Sequence, residues 1–220
     1  MLDKYIVLFM ITAMFVSGCD NKDEMSIRTG DLLFRGKTPS ALSTAIDEVT
    51  QTEAGKHFSH VGLAEVVDNN IFVIHSDGSK GVDRETLKDF MNDGGGDTLY
   101  VEAYRLKSDF RDAIPEAMER ATALIGEPYN YTYIIEDSGY YCSELVWYAF
   151  ATDSVFALDP MTFKDPESGA FHEGWVEHYG KLGVEIPEGL PGCNPNGMAG
   201  SDKLEYLGVV VSYSQAQPQP

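Results

Sequence analysis

The chain has 220 residues, 16 Lys and Arg against 35 Asp and Glu for a formal net charge of −19, and 43% hydrophobic residues. That apolar fraction is too high for a disordered chain, and the length suits one globular domain with an appendage. So acidic a chain, with no stretch rich in Lys and Arg, repels phosphate backbones, which excludes nucleic acid as a partner. The cysteines stand at 19, 142 and 193. An odd number without a C-x-x-C pair forms neither a disulfide framework nor a zinc site, and no metal or other cofactor is implied.

Tyr5 to Val16 is an apolar run, shorter than the roughly 20 residues a helix needs to cross a bilayer and of the size of a signal-peptide core. The residues that follow, Val16-Ser17-Gly18-Cys19, resemble the bacterial lipobox, in which cleavage precedes a cysteine that receives diacylglycerol. On that reading 1–18 is a lipoprotein signal peptide and Cys19 the lipidated residue. Residues 19–26 form a polar tether, 27–213 the domain, and 214–220 (SQAQPQP) a disordered tail. The expected location is a bacterial cell envelope, membrane-bound through the N-terminal lipid and facing the periplasm or the exterior. Asp20 resembles a signal for retention at the inner membrane.

Gly30 to Phe34 predicts a strand, and Ser40 to Val49 a helix with Leu42, Ala45, Ile46 and Val49 on one face. Phe58 to Val67 and Ile71 to His75 are β-branched-rich runs separated by Asp68-Asn69-Asn70, residues suited to the positive φ of a hairpin turn. Thr98 to Leu106 predicts a third strand. Ile114 to Ile125 predicts a helix with Pro115 near its start and Gly126 past its end. Ser143 to Phe150 predicts another helix, Phe163 to Gly183 is mixed, Pro187 to Gly200 is loop-like, and Leu204 to Tyr213 predicts a last strand. Strands with helices grouped before and after them indicate an α+β domain with an antiparallel sheet packed on helices. Gly94-Gly95-Gly96 lacks a following Lys-Ser/Thr and is flanked by Asp93 and Asp97, so it reads as a loop and not a phosphate cradle.

In Tyr140-Tyr141-Cys142-Ser143-Glu144-Leu145 a cysteine sits where a loop enters a helix. The positive end of the helix dipole and its unpaired N–H groups stabilise a thiolate, and the same groups can hold an oxyanion. A buried, inert thiol is the alternative for any lone cysteine. His60, in Phe58-Ser59-His60-Val61-Gly62-Leu63, lies on a strand and can serve as the base for Cys142. His57 would point to the opposite strand face, a poor arrangement for a metal. His75 is the candidate third group that orients His60. A two-residue turn at Asn69-Asn70 would place it opposite Ala64, four residues from His60 or roughly 13 Å, so a surface histidine is the alternative reading. Cys193 is either free or paired with Cys142, and the pairing would block nucleophilic catalysis.

The segments GDLLF (30–34), FSHVGL (58–63), FVIHSDG (72–78), GEPYNYTY (126–133) and YYCSELVWYAF (140–150) resemble, in that order, the YiiX/YebB-like permuted papain-like enzymes of the NlpC superfamily. The tract from Glu177 to Leu207 resembles the family's C-terminal part more loosely. The resemblance implies a circularly permuted papain-like (NlpC-type) fold, with Cys142 as nucleophile and His60 as general base. His75 stands where nearer members resemble one another in having a Glu. Tyr179 aligns with a tyrosine lining the family's site and, with Tyr141, is a candidate for substrate binding or the oxyanion. The implied activity is that of a cysteine amidase or peptidase, acting through a Cys-His thiolate and an acyl-enzyme on small peptides or amino-acid amides, including peptidoglycan-derived ones. Two alternatives remain at this point: a lipid acyl hydrolase or acyltransferase of the same superfamily, and a catalytically silent cell-envelope binding module.

Overall fold

The computed structural model describes residues 26–210 apart from Lys37, Pro39, Glu53, Ala54 and 93–97. The expected signal peptide, Cys19, Asp20, the glycine cluster and the C-terminal tail lie outside the described residues.

Strand β1 (Leu32–Gly36) is buried along its whole length. Helix α1 (Ala41–Val49) starts at Ser40, whose hydroxyl accepts the Ser43 amide at 3.1 Å, which satisfies one of the orphan donors of the first turn. Strands β2 (Phe58–Val67) and β3 (Asn70–Asp77) form the expected hairpin. Its turn is Asp68-Asn69, with φ of 49° and 63°, as a type I′ turn demands.

Strand β4 (Gly81–Thr86) and helix α2 (Leu87–Phe90) follow, neither of which local patterning predicts. Next come β5 (Val101–Leu106), α3 (Ile114–Ala123), α4 (Cys142–Ala149) and the two-residue strand β6 (Asp159–Pro160). The mixed tract yields α5 (Glu173–Leu182), capped by the His172 ring on the Gly174 amide and ended by Gly183 at φ 71°. The loop-like tract holds β7 (Pro191–Gly192), paired with β6, and α6 (Pro195–Ala199), before β8 (Leu204–Val209) closes the domain.

The main sheet runs β4-β3-β2-β1-β5-β8, with every pair antiparallel. Alternation along the strands splits the core. Leu32, Phe34, Val61, Leu63 and Ile74 meet α3 and α4 in the larger half, and Leu33, Ala64, Val73 and Ala103 meet Phe90 and Met91 in the smaller. His60, Gly62 and Ala64 share a parity along β2, which puts both histidines on the side covered by Phe90: its ring lies 5.7 Å from His60 and 5.1 Å from His75.

The β2–β3 register decides how near the two histidines come. Because the turn falls at Asp68-Asn69 and not one residue later, Val67 pairs with Asn70 and Gly62 with His75. His75 is therefore offset from His60 by two residues, a diagonal neighbour, and the four-residue offset expected from an Asn69-Asn70 turn does not arise. Gly62 makes the crossing possible: a Cβ there would lie 2.5 Å from Val73 Cγ1 and 2.9 Å from His75 Cβ. Gly62→Ala is expected to cost about 1–3 kcal/mol, read as a lower urea midpoint.

Candidate active site

Three strands bring the ionisable side chains together. His60 Nε2 lies 2.8 Å from His75 Nδ1. The other nitrogen of His75, Nε2, is 3.0 Å from Glu85 Oε1 on β4, close enough to pair but off the axis of a well-formed hydrogen bond. The His75 ring, followed by Lys80, holds the Glu85 carboxyl down to about 2 against the effect of its burial. An ionised Glu85 favours the proton on His75 Nε2, so His75 Nδ1 accepts from His60 Nε2–H. That assignment leaves His60 Nδ1 as the free base. Glu85 thus supplies, from the neighbouring strand, the carboxylate that the third position lacks when it is a histidine.

Cys142 is the first residue of α4. The helix enters where β3 parts from β2: their pairing ends at Gly62–His75, while β2 continues on β1 to Phe58 and β3 on β4 to Asp77. Ser76 Oγ donates to the Tyr140 carbonyl at 2.5 Å, which ties the incoming chain to β3. The Val61 amide, one residue after His60, donates to the Cys142 sulfur, as does the Ser143 amide. Glu144 closes the helix start by accepting the Tyr141 amide and Asn130 Nδ2, each at 3.1 Å. Desolvation raises the Glu144 carboxyl to about 7.

Burial sets the charge state of the pair and overturns one expectation. It pushes the Cys142 thiol up to about 11, despite the Val61 and Ser143 amides and the Arg35 charge, all of which pull the other way. It also holds His60 well below the usual imidazole range, assisted by Arg35 and His75. At neutral pH both partners are uncharged. The sequence suggests a preformed thiolate at the helix terminus, but desolvation outweighs the dipole and the local donors.

Cys142 and Tyr141 line a cavity of about 390 Å³ that extends past Ile46, Val155, Phe156 and Met198, within the size range of small-molecule sites, ~300–1,000 Å³. Cys193 lines it too, and both cysteines are free thiols. The Tyr141 hydroxyl accepts the Cys193 amide at 3.2 Å and sits 3.7 Å from its sulfur, so it secures that loop beside Cys142. Tyr179 is not brought to the site. Its hydroxyl donates to the Thr132 carbonyl at 2.9 Å and its ring is buried against Trp175 and Phe163, away from the cavity lining. Tyr179 thus lies in the core behind Trp175 and Phe163, which line the cavity. Tyr133 does line the cavity, held by its hydroxyl 3.1 Å from that of Tyr129. His57 turns away to Asp47, at 3.1 Å.

Sequence reasoning passes over Glu85 and Arg35. Arg35 pairs directly with His60 across β1 and β2, and Glu85 lies diagonal to His75 across β3 and β4, where Val73 opposes Glu85. A hairpin reading of residues 71–86 would have found Glu85.

Residues 26–208 match the family described as permuted papain-like amidase enzyme, YaeF/YiiX, C92 family. The chain belongs to this family. It is accordingly a cysteine hydrolase of the amidase and peptidase class. No match was found among curated proteins. Among solved structures, one titled as the metalloprotein yiiX from Escherichia coli O157:H7 is 22% identical, with a TM-score of 0.63, covering 84% of this chain and 96% of its own; the likeness supports the fold. His60 Nε2 and His75 Nδ1 are engaged with each other and His75 Nε2 with Glu85, which leaves His60 Nδ1 uncommitted. Among the described residues no group of three or more His, Cys, Asp or Glu converges to hold an ion.

The neutral pair has a measurable signature. Thiolate forms only as pH approaches the raised thiol value, so alkylation of Cys142 by iodoacetamide should climb steadily from about pH 7 to about pH 10, with no reactive plateau on the acid side. Site-resolved mass spectrometry reads this directly, and a plateau near pH 5 would indicate a preformed ion pair instead.

Proposed function

We propose that Cys142 attacks the carbonyl carbon of an amide, with His60 as its general base and His75 and Glu85 orienting that base. The observation that carries the reading is the His60–His75–Glu85 chain, set beside a cysteine at a helix N-terminus. As Sγ approaches the carbonyl, its proton passes to His60. The imidazolium that forms is stabilised through His75 by the ionised Glu85, which offsets the cost of creating charge in a buried site. The carbonyl oxygen becomes an oxyanion near the first-turn amides of α4, which have no intrahelical acceptor. His60 then protonates the leaving amine, and water, deprotonated by the same ring, releases the acyl group from the thioester.

The substrates proposed are small peptides or amino-acid amides in the bacterial envelope, peptidoglycan-derived ones among them. The chain would be held at the membrane, the inner one by the Asp20 reading, through lipid on Cys19. A second reading, hydrolysis or transfer of a lipid acyl group by the same cysteine, is favoured by the apolar lining of the cavity beside Cys142.

Turnover of amino-acid p-nitroanilides and dipeptide amides tests the roles. Cys142→Ala should abolish it, His60→Ala should lower kcat by about 10²–10⁴, and Cys193→Ala should leave most of it. Undiminished activity in Cys142→Ala would remove the nucleophile assignment, and ligand binding without turnover in the parent would favour the silent module. In a bacterial host, Cys19→Ser should abolish labelling by radioactive palmitate and release the protein from the membrane fraction. Membrane association unchanged by that substitution would refute the anchor.

A further inference from the structure

The two imidazoles are covered by a third ring. Phe90 is fully buried and ends helix α2, shortly after Glu85 in the chain. Its centroid lies 5.7 Å from that of His60 and 5.1 Å from that of His75, whose own centroids are 5.0 Å apart. The rings form a nearly equilateral triangle. His75 stands at 86° to both of the others, and His60 is tilted by 39° to Phe90, edge-on and tilted contacts of the kind aromatic rings favour. The χ2 torsion of a histidine has broad wells, so an uncovered ring turns readily. Turning either one would part His60 Nε2 from His75 Nδ1 and break their 2.8 Å contact.

Phe90 is itself pinned. Arg35 Nη1 donates to the Phe90 carbonyl at 2.9 Å, and the guanidinium carbon lies 5.0 Å from the ring centroid. One side chain thus supplies a hydrogen bond and a cation–π contact. Arg35 pairs with His60 across β1 and β2, so the strand beside the base also reaches over its cover. Burial pulls the guanidinium down, and the charges of Asp77, Cys142 and Glu85 oppose this. Asp77 and Glu85 therefore supply the counter-charge that keeps the head group over Phe90.

We propose that Phe90 is a positioning residue for the base: it holds the His60 and His75 rings in the arrangement in which they share a hydrogen bond, it keeps water from them, and Arg35 fixes it in place. The proposal rests on the reading of His60 as general base, and Phe90 acts only through the two rings. The ionisable groups around them are Arg35 on β1, Asp77 on β3, Glu85 on β4 and Cys142 on α4. Helix α2 adds no charge toward the rings, because Lys88 and Asp89 are exposed. With the rings fixed, both carry their proton on Nε2, and His60 Nδ1 stays free for the thiol. Burial, with Arg35 and His75, holds His60 well below the usual imidazole range. Water admitted by a smaller side chain would let it rise.

The test combines 15N NMR of the histidine-labelled protein with turnover of alanine p-nitroanilide against pH. The parent should show a single tautomer for each of the two rings. Phe90→Leu should give a mixture and lower kcat by roughly 10- to 100-fold, part of what a positioned base contributes, with KM nearly unchanged. Its acid limb should move up by about one pH unit, because water lessens the desolvation that disfavours imidazolium. Arg35→Met should reproduce the mixture of tautomers, and Arg35→Lys, which keeps a cation and a donor, should remove part of it. Val210→Ala, in the same half of the core, controls for general loosening and should change none of these readouts. Should Phe90→Leu fail to fold, Phe90→Met, whose flexible side chain fills irregular space, is read in its place. Parental tautomers and an unmoved acid limb in a folded Phe90 variant, or mixed tautomers in the parent, would overturn the proposal while Cys142 and His60 keep their roles. If the parent turns over no amide, the functional reading falls, and the tautomers alone decide for or against Phe90.

Discussion

The hydrogen bond between two imidazoles, 2.8 Å from His60 Nε2 to His75 Nδ1, is the contact on which the geometry of this site depends. One ring must donate and the other accept, so the tautomers of both are linked. The ionised Glu85 next to His75 biases the choice, and the consequence reaches His60 Nδ1, the atom left with a lone pair. For the rings to meet, β2 and β3 must pair with Gly62 opposite His75, and a single residue of slip would carry one ring to the other face of the sheet. The positive φ values at Asp68 and Asn69, far from the site, hold that register. Gly62 provides the room where Val73 and His75 crowd the strand.

The second constraint is the exclusion of water. Cys142, His60 and His75 are all buried, and desolvation disfavours charge on the thiol and on the imidazole alike. The pair therefore rests neutral, and on the proposed mechanism charge separation waits for a substrate carbonyl. The interactions that favour the charged state are already in position: the Val61 and Ser143 amides at the sulfur, Arg35 nearby, and Glu85 behind the relay. They cost no reorganisation at the moment of reaction, the condition under which such groups contribute most.

On the proposed mechanism the carboxylate of the relay comes from the strand next to His75. The resemblance implies a Glu where this chain has His75, a departure that by itself weakens a triad. The sheet supplies Glu85 on the next strand, diagonal to His75, so the series becomes imidazole, imidazole, carboxylate. The sheet therefore contributes as much to the base as the histidines do, because β3 and β4 hold the two partners within 3.0 Å.

Local pattern alone determined a good part of this protein. The β-branched runs of residues 58–75, the helix signals around Pro115 and Ser40, and the cysteine at the entry to α4 were all legible, because turn chemistry and periodicity act between near neighbours in the chain. The ordered motifs from GDLLF to YYCSELVWYAF were enough to indicate the family and the fold. The reach of His75, the role of Glu85, the burial of Arg35 and the removal of Tyr179 to the core were decided only by tertiary structure. Each depends on which strands lie side by side and on how much water their packing excludes. So does the charge state of Cys142, for a helix terminus stabilises a thiolate only where solvation does not oppose it, and solvation is a property of the folded surroundings.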